Sequence, residues 1–169
     1  MKRVMMILLL VMCCQLYSQT VAEKNEFKLD LAYILAPALK VEYERLLSDG
    51  TTLGAAGLYH FDDDYNIKYQ ILGFYRWYFG KEPISGFFLE ANMGISGGYY
   101  ESWFSYALDG SKEESEESYS ALGAGIALGW KFVTNTGVVL DIFSGIGRMV
   151  GDVGPEVYPR WGVCIGKRF

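Results

Sequence analysis

Residues 158–169 place Trp161, Val163, Ile165 and Phe169 on one side of an extended chain and Arg160, Gly162, Cys164, Gly166 and Arg168 on the other. Successive side chains of a β-strand point to opposite faces, so this order specifies a strand with one apolar face and one small or cationic face. The apolar face ends on an aromatic residue. The two arginines on the opposite face need water or carboxylate partners, because an unpaired buried charge is too costly to keep. Lys167 departs from the pattern by standing among the apolar positions.

The same alternation recurs along the chain. In 27–35, Phe27, Leu29, Leu31, Tyr33 and Leu35 oppose Lys28, Asp30 and Ala32, and Ala36-Pro37 marks a turn. In 38–47, Leu39, Val41 and Tyr43 oppose Lys40, Glu42 and Glu44. Ser48-Asp49-Gly50-Thr51 is a tight hairpin signal, and 52–61 follows with Leu53, Ala55, Tyr59 and Phe61 on its apolar face. Segment 66–79 sets Tyr69, Ile71, Tyr75, Trp77 and Phe79 against Lys68, Gln70, Leu72, Phe74 and Arg76. Segment 87–99 sets Phe87, Leu89, Ala91, Met93 and Ile95 against Glu90, Asn92, Gly94 and Ser96. Segments 119–132 and 138–147 continue the order, with Lys131 and Asp141 on the polar side.

Together with 158–169 these are eight predicted strands, and the expected fold is all-β: an eight-stranded antiparallel up-and-down transmembrane β-barrel spanning 27–169. An even strand number returns the chain to the side on which it started, and eight strands is the smallest closed membrane barrel. The second, fourth and sixth connections are short and the third and fifth long, as in barrels with short inner turns and longer external loops. Ala36-Pro37 is too short for an external loop and stands as an exception. The sides also sort the aromatic residues. Tyr59, Phe61, Tyr99, Tyr100, Trp103 and Tyr119 fall at the outer end, and Trp77, Tyr78, Phe79, Trp130, Phe132 and Phe169 at the inner end, as two interfacial girdles.

The beginning of the chain carries a different signal. Lys2 and Arg3 precede eleven apolar residues, 4–14, and then small and polar residues, the order of a secretory signal. That run is shorter than the roughly 20 residues a membrane-spanning helix needs. The expectation is a cleaved signal peptide at 1–18 and a short periplasmic lead at 19–26. Acylation at Cys13 or Cys14 is the alternative, disfavoured by the bulky residues before them. Removal of the signal leaves Cys164 as the lone cysteine, so no intramolecular disulfide is expected.

The terminal strand resembles the closing strand of outer-membrane β-barrels, which commonly ends on Phe. Over 27–169 the chain resembles the small outer-membrane barrel families of Bacteroidota, and within them an uncharacterised group. The shared features are Tyr43-Glu44 in the second strand, the Tyr75 to Phe79 ending of the fourth, and Gly166 to Phe169 at the close. The resemblance implies a barrel in the outer membrane of a Gram-negative bacterium with no established activity. It makes Phe169 the expected assembly signal read by the barrel-insertion machinery.

The residues that could carry chemistry are mostly charged ones on the polar faces. Asp30, Lys40, Glu42, Glu44, Lys68, Arg76, Glu90, Lys131, Asp141 and Arg160 are expected to form an interior polar network, with Lys28 and Arg168 on the same side. Eight strands leave an interior that side chains fill, so a packed ion network is favoured over a narrow passive pore. His60, the single histidine, is the candidate for a lipid-modifying enzyme. It lacks a neighbouring nucleophile in its strand, and no catalytic residue is assigned. Between 101 and 118, Glu101, Asp109, Glu113, Glu114, Glu116 and Glu117 face a single Lys112, a local net charge equal to the −5 of the whole chain. This stretch reads as a solvated external loop rather than a calcium loop, because it lacks the mid-loop glycine and ligand spacing. Gly123, Gly125 and Gly129 read as close packing inside a small barrel.

No cofactor or metal is expected, and the acidic balance argues against nucleic acid. The expected partners are outer-membrane lipid, lipopolysaccharide and the insertion machinery, with the chain monomeric. The functional reading is a structural or surface-interaction protein. The alternatives are a lipid-modifying enzyme, a secreted lipocalin-like binder and a narrow pore.

Overall fold

The computed structural model describes residues 24–62, 66–80, 82–101, 116–150 and 155–169. The predicted signal segment and residues 102–115 of the acidic stretch lie outside them. Eight strands follow in order: β1 (Asn25–Asp30), β2 (Ala38–Ser48), β3 (Thr51–His60), β4 (Tyr69–Tyr78), β5 (Gly86–Glu101), β6 (Glu116–Val133), β7 (Val138–Val150) and β8 (Val157–Arg168). Each pairs antiparallel with its sequence neighbours, and β8 pairs back onto β1, so the sheet is a closed eight-stranded barrel.

The turns at one end are short because their residues allow it. Gly50 turns β2 into β3, and Gly137, at φ 77°, turns β6 into β7 in the left-handed conformation that glycine adopts without steric cost. Between β4 and β5 the chain folds inward. Ile84 takes φ 48°, a strained value for a β-branched residue, and its side chain is fully buried under the barrel end. Asp49 accepts a hydrogen bond from the Ile84 amide at 3.1 Å, and the Ile84 carbonyl accepts one from Arg168 at 3.2 Å.

The first strand differs from expectation. Residues 31–35 are not strand but a single helical turn, α1 (Leu31–Leu35). Asp30 caps it by accepting from the Ala32 amide at 3.1 Å, and Pro37 follows its end. Leu31 and Ile34, three apart on one side of the turn, are exposed. The helix removes the exception noted above: the first long-end connection is 31–37, not two residues. At its other end β1 starts at Asn25, so Glu26 belongs to the wall rather than to a periplasmic lead.

Alternation fixes which side chains fill the barrel. Met93, Ile71, Leu122 and Ile126 are 61–68% exposed on the outside, whereas Glu42, Glu44, Arg76 and Glu90 are 0% exposed inside. Two apolar clusters bracket these charges. Leu72, Phe74, Tyr119, Met149 and Tyr158 lie toward the long connections, and Tyr78, Ile84, Phe88, Phe143 and Cys164 lie toward the short turns. Two aromatic placements are thereby corrected. Tyr78 and Tyr119 are interior residues, not members of the girdles: Tyr78 donates to Glu44, and Tyr119 to the Asn66 carbonyl at 3.0 Å. Tyr100 and Trp103 lie outside the described side chains. Tyr59, Phe61, Tyr99, Trp77, Phe79, Trp130, Phe132 and Phe169 are exposed.

Room for bulky rings comes from glycine. A Cβ at Gly129 would collide with the Phe88 ring and stand 2.6 Å from the Phe143 Cβ, so those rings occupy the space a side chain would take.

Candidate functional site

Glu44 of β2 is the centre of the interior. One of its carboxylate oxygens accepts from Thr52 at 2.5 Å, Tyr78 at 2.8 Å and Lys131 at 2.9 Å. The other accepts from Arg76 at 2.8 Å and from Lys28. Asp141 of β7 receives Lys28 at 2.5 Å and Arg76 at 2.8 Å. Glu90 of β5 receives the Nε of Arg76 and the Nε of Arg160, each at 2.8 Å, and Asn92 at 3.1 Å. Arg160 Nη1 lies 2.9 Å from Glu42 Oε1 as an ion pair, with its N–H directed away from the line between them. Lys131 donates to Glu26 at 2.6 Å, and Arg168 donates to the same carboxylate at 2.7 Å.

Charges and rings interleave. The Arg76 guanidinium sits 4.4 Å from the Phe74 ring centre and 4.5 Å from that of Phe88, and Arg160 sits 4.4 Å from Phe143. Aromatic rings and carboxylates thus share the surroundings of each desolvated guanidinium group. Six carboxylates (Glu26, Asp30, Glu42, Glu44, Glu90, Asp141) face six cations (Lys28, Lys40, Arg76, Lys131, Arg160, Arg168). Removing a charge from water costs several kcal/mol, so such a set is tolerable only when signs balance and hydrogen bonds are made.

Of the residues expected in the interior, Asp30, Lys40, Glu42, Glu44, Arg76, Glu90, Lys131, Asp141 and Arg160 are buried there. Asp30 and Lys40 form a satellite pair at 2.8 Å, with Lys40 also donating to the Trp161 carbonyl at 2.6 Å. Lys68 is a correction. It stands just before β4 toward the long connections, half-buried, with its backbone bonded to Gly97 and His60 and its ammonium 5.7 Å from the Tyr59 ring centre, away from the interior charges. Glu26, Thr52 and Tyr158 were not among the expected members. Glu26 shares the parity of Lys28 and was hidden only by the late strand start; Thr52 shares that of Gly54 and Ala56. Tyr158 donates to Asn92 at 2.6 Å.

A second feature lies at the long-connection end. A cleft of about 470 Å³ is lined by Tyr33 of α1 and Ala36 just after it, Leu58 and His60 of β3, Gln70 of β4, and Pro159 and Trp161 of β8. A His60 ring nitrogen, Nδ1, lies 2.7 Å from the Ile67 carbonyl. Tyr33 stacks on Trp161, ring centres 5.3 Å apart, and touches His60 at 6.0 Å.

A closed antiparallel barrel with an apolar exterior, a charge-balanced interior and a cleft of this size defines, over the described residues, a small, plugged β-barrel protein. The chain belongs to the family described as Protein of unknown function (DUF3575), whose model matches residues 4–160. No curated protein matches it in sequence. Among solved structures it is similar to the N-terminal β-barrel domain of Pseudomonas aeruginosa OprF, at 14% identity and TM-score 0.48, covering 87% of this chain and 98% of that one. It is also similar to the Yersinia pestis outer membrane protein Ail in a phospholipid bilayer nanodisc, at 15% identity and TM-score 0.47, covering 87% of this chain and 99% of that one.

Proposed function

We propose that the protein is an integral outer-membrane barrel of a Gram-negative bacterium, exported by its N-terminal signal and anchored by a closed, ion-paired core. Its role on this reading is structural or surface-interacting, through the long-connection end, and it is neither a conductor nor an enzyme. One observation carries the proposal: apolar side chains are outside and charges inside, the reverse of a water-soluble lipocalin. An exposed apolar surface extending around a monomer needs a lipid or protein covering.

The test uses the purified chain folded in phospholipid vesicles. The folded form is expected to run at a different gel position unboiled than boiled, and Cys introduced at Leu89 to stay unlabelled by a membrane-impermeant reagent until detergent is added. Recovery from cells as a detergent-free soluble protein would favour the lipocalin-like reading.

A lipid-modifying enzyme is the second reading, and the specific observation in its favour is that His60 lines the cleft. Comparison of lipid A from the parent and a deletion strain decides between them. Loss of an acyl modification in the deletion strain and equally in His60→Ala would replace the structural reading.

A further inference from the structure

β1 is shorter than both its neighbours. Its pairing stops at Leu29 with Val41 on β2 and at Asp30 with Cys164 on β8, while β8 continues through Val163 to Val157 and β2 through Lys40 to Ala38. β2 ends at Ala38, so β8 and β2 face each other with no strand between them over about three residues, roughly 10 Å at ~3.3 Å per residue, and β8 runs on without a β1 partner to Val157. α1 stands in that gap.

The sequence of β8 is adapted to an unpaired edge. The Trp161 carbonyl takes its hydrogen from Lys40, and the Val163 amide gives its own to Asp30 at 3.2 Å, so the odd-numbered residues direct their backbone groups into the gap. The same period turns the nitrogen of Pro159 that way, where a strand partner would require a donor that proline lacks. Asp30 and Lys40 thus satisfy with side chains what a longer β1 would satisfy with backbone. This matters most in an apolar surrounding, where unsatisfied backbone groups are costly.

The gap and the cleft coincide. Tyr33 of α1 and Trp161 of β8 line the cleft beside the gap, and the outer surface there is apolar, with Leu31, Ile34 and Leu39 exposed. The cleft's 470 Å³ falls within the range of about 300–1,000 Å³ common to small-ligand sites. We propose that the gap between β8 and β2 is a side portal, and that the cleft behind it holds an acyl chain of an amphiphile from the surrounding outer leaflet. The occupant is a membrane lipid rather than a soluble ligand because the portal is flanked by lipid-facing side chains. The inference rests on the membrane reading above.

The experiment uses the full mature chain in nanodiscs of phospholipid bearing a diazirine at the end of one acyl chain, irradiated and mapped by peptide mass spectrometry. Labelling is expected at Met93 on the outer belt and also at Leu58, which lines the cleft. Ala36→Trp and, separately, Ala32→Trp, each filling the cleft, are expected to lower Leu58 labelling at least fivefold and leave Met93 unchanged. Label at Met93 but none at Leu58 in the unmodified protein would overturn the portal and leave the membrane reading standing. Leu58 labelling that neither folded variant diminishes also overturns it. No label at Met93 removes the membrane reading, and the portal with it.

Discussion

Glu44 accepts a hydrogen bond from Arg76 at 2.8 Å across the barrel interior, although β3 separates their strands in the wall. The contact spans the interior instead of running along its lining, and the Arg76 bond to Asp141 of β7 does the same, while its bond to Glu90 joins the residue directly opposite on neighbouring β5. The network is therefore a crosspiece, and its members depend on each other.

Glu44→Gln is expected to destabilise the barrel by about 3–5 kcal/mol, because Lys28, Arg76 and Lys131 lose their shared carboxylate while remaining buried. Leu89→Ala on the outer face should cost less. Urea unfolding in phospholipid vesicles measures both, and equal costs would contradict the crosspiece.

The same contacts predict silence in planar bilayers. The unmodified protein should show no steady single-channel current, since Arg76, flanked by rings and bonded to carboxylates of β2, β5 and β7, lies across the interior of an eight-stranded barrel. A steady current whose selectivity changes in Glu90→Gln without loss of stability would move the function to passive transport.

Gly129→Ala should cost about 1–3 kcal/mol by overpacking, as its new methyl meets Phe88 and Phe143. Pairing it with Phe88→Leu should recover part of the loss, whereas pairing it with Leu72→Val should not. The readout is the unfolding midpoint of the single and double variants.

Met93→Arg should cost about 2–4 kcal/mol in a bilayer, where the residue faces outward at mid-strand, and much less in a detergent micelle that deforms around it. Equal stability in both media would argue that lipid does not surround β5.

Deleting Phe169, exposed and backbone-paired with Asn25 at 2.8 and 2.9 Å, is expected to reduce the membrane-inserted fraction in cells and leave export unchanged. Cell fractionation and the unboiled gel shift report the two quantities separately.

Much of this architecture was legible because a barrel wall has two environments and a strand has two faces. Period two placed Glu42, Glu44, Arg76 and Glu90 on one side of the wall without any knowledge of their partners. It failed where the repeat itself was ambiguous. Leu31, Tyr33 and Leu35 alternate as a strand would, and five residues are too few for helical spacing to declare itself; the Asp30 cap and Pro37 were the only available signs. Tyr78 and Tyr119 were assigned by height along the barrel, when their parity with Arg76 and Ala121 already turned them inward. Lys68 had the right parity and the wrong height. The cleft was not legible at all, since it arises from the length of β1 relative to β2 and β8.

Lys28 and Asp141 lie 113 positions apart, and each of the strands that carry them has charges bonded to partners on strands distant in sequence. The first hairpin cannot neutralise its own polar face: Glu26, Asp30, Glu42 and Glu44 of β1 and β2 outnumber Lys28 and Lys40. β2 alone presents Lys40, Glu42 and Glu44, none of which has its ion-pair partner on β3. Threading that hairpin alone into hydrocarbon would carry carboxylates whose further cations, Arg76, Lys131 and Arg160, arrive only with later strands. On the membrane reading, the order expected is assembly of a nearly complete cylinder first, with its ions matched while water still reaches them, and transfer into the apolar phase as a single late event.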